Sequence, residues 1–184
     1  MKSGLYIAST VEEALEQALR VPIIGYLNGI PVRQVAGGAI TASGMYGLTL
    51  EKMLIDAAGE SMEAEDNNVL MVQDAHTPDF NAHNFRDDIT DEVSGAGYSA
   101  GGKAITGTEI TIAGGVLTFD AADVSWAASS ITDAMAAVYY FIVGSAATDQ
   151  LVSLSDFVTP ASTTNGTFTI QWHSNGIITI DFTP

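Results

Sequence analysis

Residues Thr108 to Trp126 read "TEITIAGGVLTFDAADVSW". Ala113-Gly114-Gly115 joins "EITI" to "VLTF", and paired glycines supply the positive φ that a tight hairpin turn demands. The stretch therefore predicts two antiparallel strands joined by a short turn. A second turn signal, Ser174-Asn175-Gly176, stands between "FTIQW" and "IITIDF" and predicts another hairpin. There Phe168, Ile170 and Trp172 alternate with Thr167, Thr169 and Gln171, so one face should be buried and the other wet. Between these turns lie further strand-like runs, "AMAAVYYFIVG" from Ala134 and "LVSLSDFV" from Leu151, and before them "EVSGAGYSAGGKAI" from Glu92. Together they predict a β meander.

Composition agrees. Eighteen glycines and a charged fraction of only 15% suit strands and tight turns better than a helical bundle. At 184 residues and 47% hydrophobic, the chain can bury a real core. The absence of cysteine excludes disulfides, thiolate metal sites and a Cys nucleophile. Six Lys and Arg stand against 22 Asp and Glu, a net −16, so a phosphate backbone or an anionic bilayer would be repelled. No apolar run reaches the roughly 18 to 20 residues that span a bilayer. The start "MKSGLYIAST" lacks an apolar core and a small-residue cleavage site, so no signal peptide, a soluble protein and cytoplasmic synthesis are expected.

The charge is unevenly placed. In residues 1–40, Lys2, Arg20 and Arg33 balance Glu12, Glu13 and Glu16, so the whole excess lies in the remainder. This divides the chain into an N-terminal arm, 1–44, and an acidic β-rich main domain, 45–184. In the arm, Thr10 and Glu13 form a capping box before a helix whose Val11, Ala14, Leu15 and Leu19 share a face. The following "VPIIGYLNGIPVRQV" is apolar and broken by Pro22, Gly25, Gly29 and Pro31, which suits an extended segment lying across another surface. The main domain opens with one amphipathic helix, where Leu50, Met53, Leu54 and Ala57 recur at helical spacing and Gly59 stands near its end. "NNVLMVQ", Asn67 to Gln73, then reads as a buried strand. The fold expected is mainly β, a sandwich or barrel-like antiparallel domain with one helix and an extended arm.

Candidate chemistry is concentrated in "MVQDAHTPDFNAHNFRDD", Met71 to Asp88. His76 and His83 with Asp74, Asp79, Asp87 and Asp88 could suit a transition metal, but seven residues across a Pro-containing loop is not the helical spacing that places two imidazoles on one ion. The reading preferred is a solvated loop at the exit of a buried strand, with an Asp capping the short "NFRDD" turn. Neither this loop nor "DAADVS" has the pattern of an EF-hand, which leaves only an irregular calcium site open. There is no Gly-x-Ser-x-Gly elbow, and His173 falls in an expected hairpin strand. Asp120 and Asp123 flank a turn, where Asp is common in any case. Gly95, Gly97, Gly101 and Gly102 miss the dinucleotide spacing by one residue. Tyr139, Tyr140 and Phe141 lie in the most apolar strand and read as core. Neither a cofactor nor a catalytic or metal site is expected.

Taken in order, "EVSGAGYSAGG" (Glu92–Gly102), "FDAADVSW" (Phe119–Trp126) and "NGTFTIQWHSNGIIT" (Asn165–Thr179) resemble a family of small tailed-bacteriophage virion structural proteins, over about residues 45–184. The resemblance does not extend to the arm, and "DAMAAVYYFIVG" is more apolar than the family's strand. It implies a non-enzymatic particle component of the head or the tail. Charge favours the outer head surface over a place beside packaged DNA. The expectation is a capsid decoration or cement protein whose partners are the major capsid protein and copies of itself, as dimer or trimer. Nucleic acid and membrane are not expected partners. Leu5, Tyr6, Ile23, Ile24, Tyr26 and Val32 are the expected capsid contacts. A tail, connector or fibre component and a host-surface glycan-binding module are the alternatives.

Overall fold

A computed structural model describes residues 23–27, 30–33, 40–54, 61–63 and 67–182. The chain forms two compact units, Met1–Gly37 and Gly38–Pro184. In the first, β1 (Ile23–Leu27) and β2 (Ile30–Arg33) pair antiparallel, with Leu27 opposite Ile30. The apolar segment is thus extended, as its composition predicts, but folded back on itself as a hairpin. The sequence carries the signal in Asn28-Gly29, a favoured two-residue hairpin pair. The expected helix over Val11–Arg20 lies outside the described residues, as do Leu5 and Tyr6. Ile23, Ile24, Tyr26 and Val32 lie on the two strands.

The second unit is mainly antiparallel β. Its central sheet has the order β3 (Gly44–Met45), β10 (Leu151–Ala161), β9 (Ala134–Phe141), β4 (Asn67–Gln73), β5 (Lys103–Ala104). Every residue of β9 is buried, because both faces of this sheet are covered. Successive side chains point to opposite faces. Val69, Met71, Ala137, Tyr139, Phe141 and Val152 enter one core with Phe119, Val124, Trp126, Phe168, Ile170 and Ile178. Leu70, Val72, Ala136, Val138, Tyr140, Leu151 and Leu154 enter a second with Ile40 and Tyr46, fringed by Phe80 and Ile89. The first core is closed by two smaller sheets, β8 (Val124–Ser129) with β11 (Gly166–Ile170), and β6 (Glu109–Ala113), β7 (Val116–Asp120) and β12 (Ile178–Asp181) in the order β12-β7-β6. The layered β architecture is the one expected, and the aromatic run of β9 is core.

Gly114 and Gly115, both at positive φ, close the β6–β7 hairpin, with Ala113 opposite Val116. The second expected hairpin does not form. A turn is present, its Gly176 N–H donating to the His173 carbonyl at 2.7 Å, but β11 pairs with β8 while β12 pairs with β7. Five positions separate Phe119 from Val124 and eight separate their partners Ile178 and Ile170, so the returning strand carries extra chain at the bend. The glycine-containing turn takes up that excess where one long ribbon bends into two sheets. Burial of Phe168 and Ile170 and exposure of Thr167, Thr169 and Gln171 follow the predicted alternation. His173 accordingly stands exposed in this turn and not within a strand.

Two other expectations are corrected. Ile40 is buried, its N–H donates to Asp74 Oδ1 at 2.9 Å, and β3 pairs with β10, so residues 40–44 belong to the larger unit, whose bounds start at Gly38. The helix α1 (Gly47–Leu54) forms, but Thr49 is its buried residue and Leu54 is 78% exposed. Its orientation is set by anchors the apolar spacing does not show: Gly47 N–H donates to the Phe80 carbonyl at 2.7 Å, and Lys52 Nζ to Asn84 Oδ1 at 2.9 Å. Ala57 and Gly59 lie outside the described residues. No helix among the described residues is long and apolar enough to cross a membrane.

Candidate functional site

The loop from Asp74 to Asp91 leaves the end of β4 and lies against the second face of the central sheet. His76 N–H donates to the Gln73 carbonyl at 3.1 Å, turning the chain, and the imidazole becomes fully buried. Its Nδ1 lies 3.2 Å from Thr90 Oγ1. The His83 ring packs against it, centroids 5.8 Å apart, and Tyr46 stacks on His83 at 6.4 Å and meets Phe80 at 5.2 Å. Burial, helped by His83, pushes the His76 pKa down to about 4, while Asp91 works in the other direction. The ring is therefore neutral at ordinary pH. Burial, and after it the charge of Asp88, likewise raises the Tyr46 phenol well above its usual value.

The two histidines do come together, yet His76 is not the solvated loop residue its polar neighbours suggest. The His83 ring lies against it, and Tyr46 in turn packs on His83 and on Phe80. The carboxylates diverge to separate tasks. Asp74 Oδ1 holds the Ile40 N–H. Asp79 Oδ1 accepts from Asn81 and Ala82 N–H. Asp88 Oδ2 accepts from Asn84 and Phe85 N–H at 2.8 and 3.0 Å, and these two bonds hold its carboxyl below the usual range. The Asp expected to cap the "NFRDD" turn is thus Asp88, while Asp87 is exposed. Asp123 Oδ1 takes the Trp172 N–H at 3.2 Å, and Asp120 Oδ1 takes that of Ala121 at 2.9 Å. Among the described residues no group of three or more His, Asp or Glu side chains could hold a metal ion.

Beside the loop, Arg86 Nε donates to Asp149 Oδ2 at 3.0 Å. Asp149 is buried, which works to raise its pKa, but the N–H groups of Gly144 and Val143 and the Arg86 guanidinium outweigh that and hold it below the usual carboxylate range. The glycine-rich segment is a clamp on the sheet edge. Glu92 Oε1 accepts from Tyr98 Oη at 2.8 Å and from Gly101 N–H at 2.7 Å, while Tyr98 Oη accepts the Met71 N–H at 3.1 Å. Tyr140 Oη donates to the Gly101 carbonyl at 2.6 Å. Gly102, at φ +73°, passes so close to β4 that a Cβ would lie 1.9 Å from the Val69 carbonyl oxygen. Sequence reasoning missed Tyr46, Thr90 and the Glu92–Tyr98 pair; only the glycine cluster flagged the last of these.

Geometry of this kind defines a layered antiparallel β domain whose polar residues anchor loops to a doubly covered sheet. No family model matches the chain, and no curated protein or solved structure matches it.

Proposed function

We propose that the chain is a non-enzymatic structural protein of a tailed-bacteriophage virion, a capsid decoration or cement protein on the outer surface of the head. The observation that carries this reading is the use of its chemistry-bearing side chains: His76 is sealed from solvent, and Asp74, Asp79, Asp88 and Asp149 each accept backbone N–H groups that hold loops in place. The motifs behind the resemblance have the same use. Glu92, Tyr98 and Gly101 form the edge clamp, and Phe119, Trp126 and Phe168 fill the first core.

The net charge of −16 supports an address away from packaged DNA. Many copies bound across the seams between major capsid proteins would stabilise the assembled shell over separated subunits by mass action. Contacts through Leu5, Tyr6, Ile23, Ile24, Tyr26 and Val32, and self-contacts as a dimer or trimer at local axes, belong to the same proposal. Cryo-microscopy of virions carrying the protein tests it. Density repeated at equivalent sites over the capsid supports decoration; density confined to the tail or connector refutes it and makes the chain a tail component. Glycan-array binding by the full chain, with no capsid density, would favour a host-surface module.

A further inference from the structure

The stretch Ile40–Leu54, which enters the larger unit and carries β3 and α1, is held from two sides. The central sheet holds it by a short ladder, Gly44 opposite Leu154 and Met45 opposite Ser153, with Tyr46 N–H on the Val152 carbonyl at 2.9 Å and Asp156 N–H on Ser43 Oγ at 2.9 Å. The first half of the loop after β4, Asp74–His83, holds it from the other side. Asp74 Oδ1 accepts the Ile40 N–H, the Phe80 carbonyl accepts the Gly47 N–H, and the Phe80 and His83 rings pack on Tyr46. Gly44 leaves room for the Phe80 ring, since a Cβ there would lie 2.9 Å from it.

The second half of the loop, Asn84–Asp91, is tied to the sheet without the first. Leu151 N–H donates to the Asn84 carbonyl at 3.0 Å, Arg86 N–H to the Asp149 carbonyl at 2.9 Å, and Gln73 N–H to the Asp91 carbonyl at 2.9 Å. His76 joins the two halves. Its Nδ1 lies 3.2 Å from Thr90 Oγ1 and accepts the Thr90 N–H at 3.4 Å, so Nδ1 is the bare nitrogen and the ring proton sits on Nε2. Nε2 is buried and meets no partner among the described residues. A second proton must therefore enter at Nδ1, where it opposes the Thr90 N–H, and the buried cation so formed has no acceptor at Nε2 and another imidazole 5.8 Å away. Asp91 favours that cation, but burial and His83 outweigh it. The other ionisable groups nearby are engaged elsewhere: Asp88 faces His83 and Tyr46, Asp74 and Asp79 accept backbone N–H groups, and burial keeps the Tyr46 phenol protonated.

We propose that the half-loop Asp74–His83 is an acid-released clasp: protonation of His76 detaches it from Thr90 and frees Ile40–Leu54 on that side, while Asn84–Asp91 and the central sheet stay in place. Opening hydrates the imidazole, which then takes its proton without opposition, so acid favours the open form. The freed stretch keeps only its short ladder to β10, and Tyr46, inaccessible in the closed form, comes into the open. The device is a local opening of one edge of the second core and not a loss of the fold. It is independent of the virion reading, because it rests on the histidine loop alone.

Hydrogen exchange of the full chain, followed amide by amide by NMR at about pH 7.5 and about pH 5 and corrected for the intrinsic effect of pH, tests it above the ordinary carboxylate range. With His76 at about 4 in the closed form and 6.5 once hydrated, protection of the Ile40 and Gly47 amides should fall about thirtyfold across this range, while the Arg86 and Leu151 amides keep theirs. His76→Gln should remove the response at Gly47. His83→Gln, which relieves the opposition to a cation at His76, should make the response smaller. Equal loss at Gly47 and Leu151, which is opening of the whole unit, overturns the proposal, as does protection indifferent to pH or a response that survives His76→Gln.

Discussion

Replacing His76 with glutamine will flatten the acid side of the stability profile. In the folded chain burial pushes the His76 pKa down to about 4 from the ordinary 6.5, so between these values the unfolded chain binds the extra proton. Stability from the neutral, buried ring is complete above about pH 6.5, falls as pH drops, and levels off below about pH 4. A gap of about 2.5 units at about 1.4 kcal/mol each amounts to roughly 3 kcal/mol lost by the native chain between neutral pH and pH 4. His76→Gln keeps a polar group facing Thr90 but has nothing to protonate. Asp88 and Asp149 have lowered pKa values, so their contribution is present above the ordinary carboxylate range and disappears as pH falls through their folded values. Both proteins share that loss, and it cancels in the difference. Urea denaturation from about pH 7.5 to pH 4 should therefore show the two free-energy curves converging by roughly 3 kcal/mol. Parallel curves, or a His76 imidazole signal in NMR that titrates at its ordinary value, would refute the reasoning.

Gly102→Ala places a methyl into the Val69 carbonyl and costs more than about 2 kcal/mol, whereas Gly114→Ala, whose Cβ meets nothing within 4 Å, costs only about 1 kcal/mol of left-handed strain; denaturant midpoints compare them. Phe119→Ala empties the contact that stacks on Tyr139 at 5.3 Å and lowers stability by about 3 to 5 kcal/mol, while Ile112→Ala one row outward changes it by less than about 0.5 kcal/mol. Arg86→Ala leaves the buried Asp149 carboxylate with backbone donors alone and costs about 2 kcal/mol or more, a loss that 1 M salt will not reproduce in the native chain because the pair is shielded. Removing residues 1–37 leaves the remaining unit folded, with unchanged near-ultraviolet circular dichroism; a molten spectrum would show that the larger unit depends on the smaller.

Much of the fold is written locally. Gly114-Gly115 and its flanking strands form the hairpin their composition predicts, and "NNVLMVQ" is the buried strand β4. Such features were legible because turn conformation and alternation depend on neighbours within a few residues. The Ser174-Asn175-Gly176 signal was also right about the turn and wrong about the pairing: its flanking strands had partners in β7 and β8 that a local pattern does not reveal. His76 was misread for a similar reason. Within a run of Asp, Asn and Thr it looks hydrated, yet it is buried, with the His83 ring packed against it and Tyr46, thirty residues before His76, stacked on His83.

By itself, then, the sequence determined an antiparallel β class, the positions of its tight turns, the large acidic excess and the lack of any thiol chemistry, because each follows from residue type or short-range geometry. Only the tertiary structure decided which strands share a sheet, that the central sheet is covered on both faces, and that the histidine loop is an anchored cover while Ile112 and Ile180 remain in the open. Those outcomes depend on contacts between residues far apart in the chain, whose free energy exists only once the sheets have assembled.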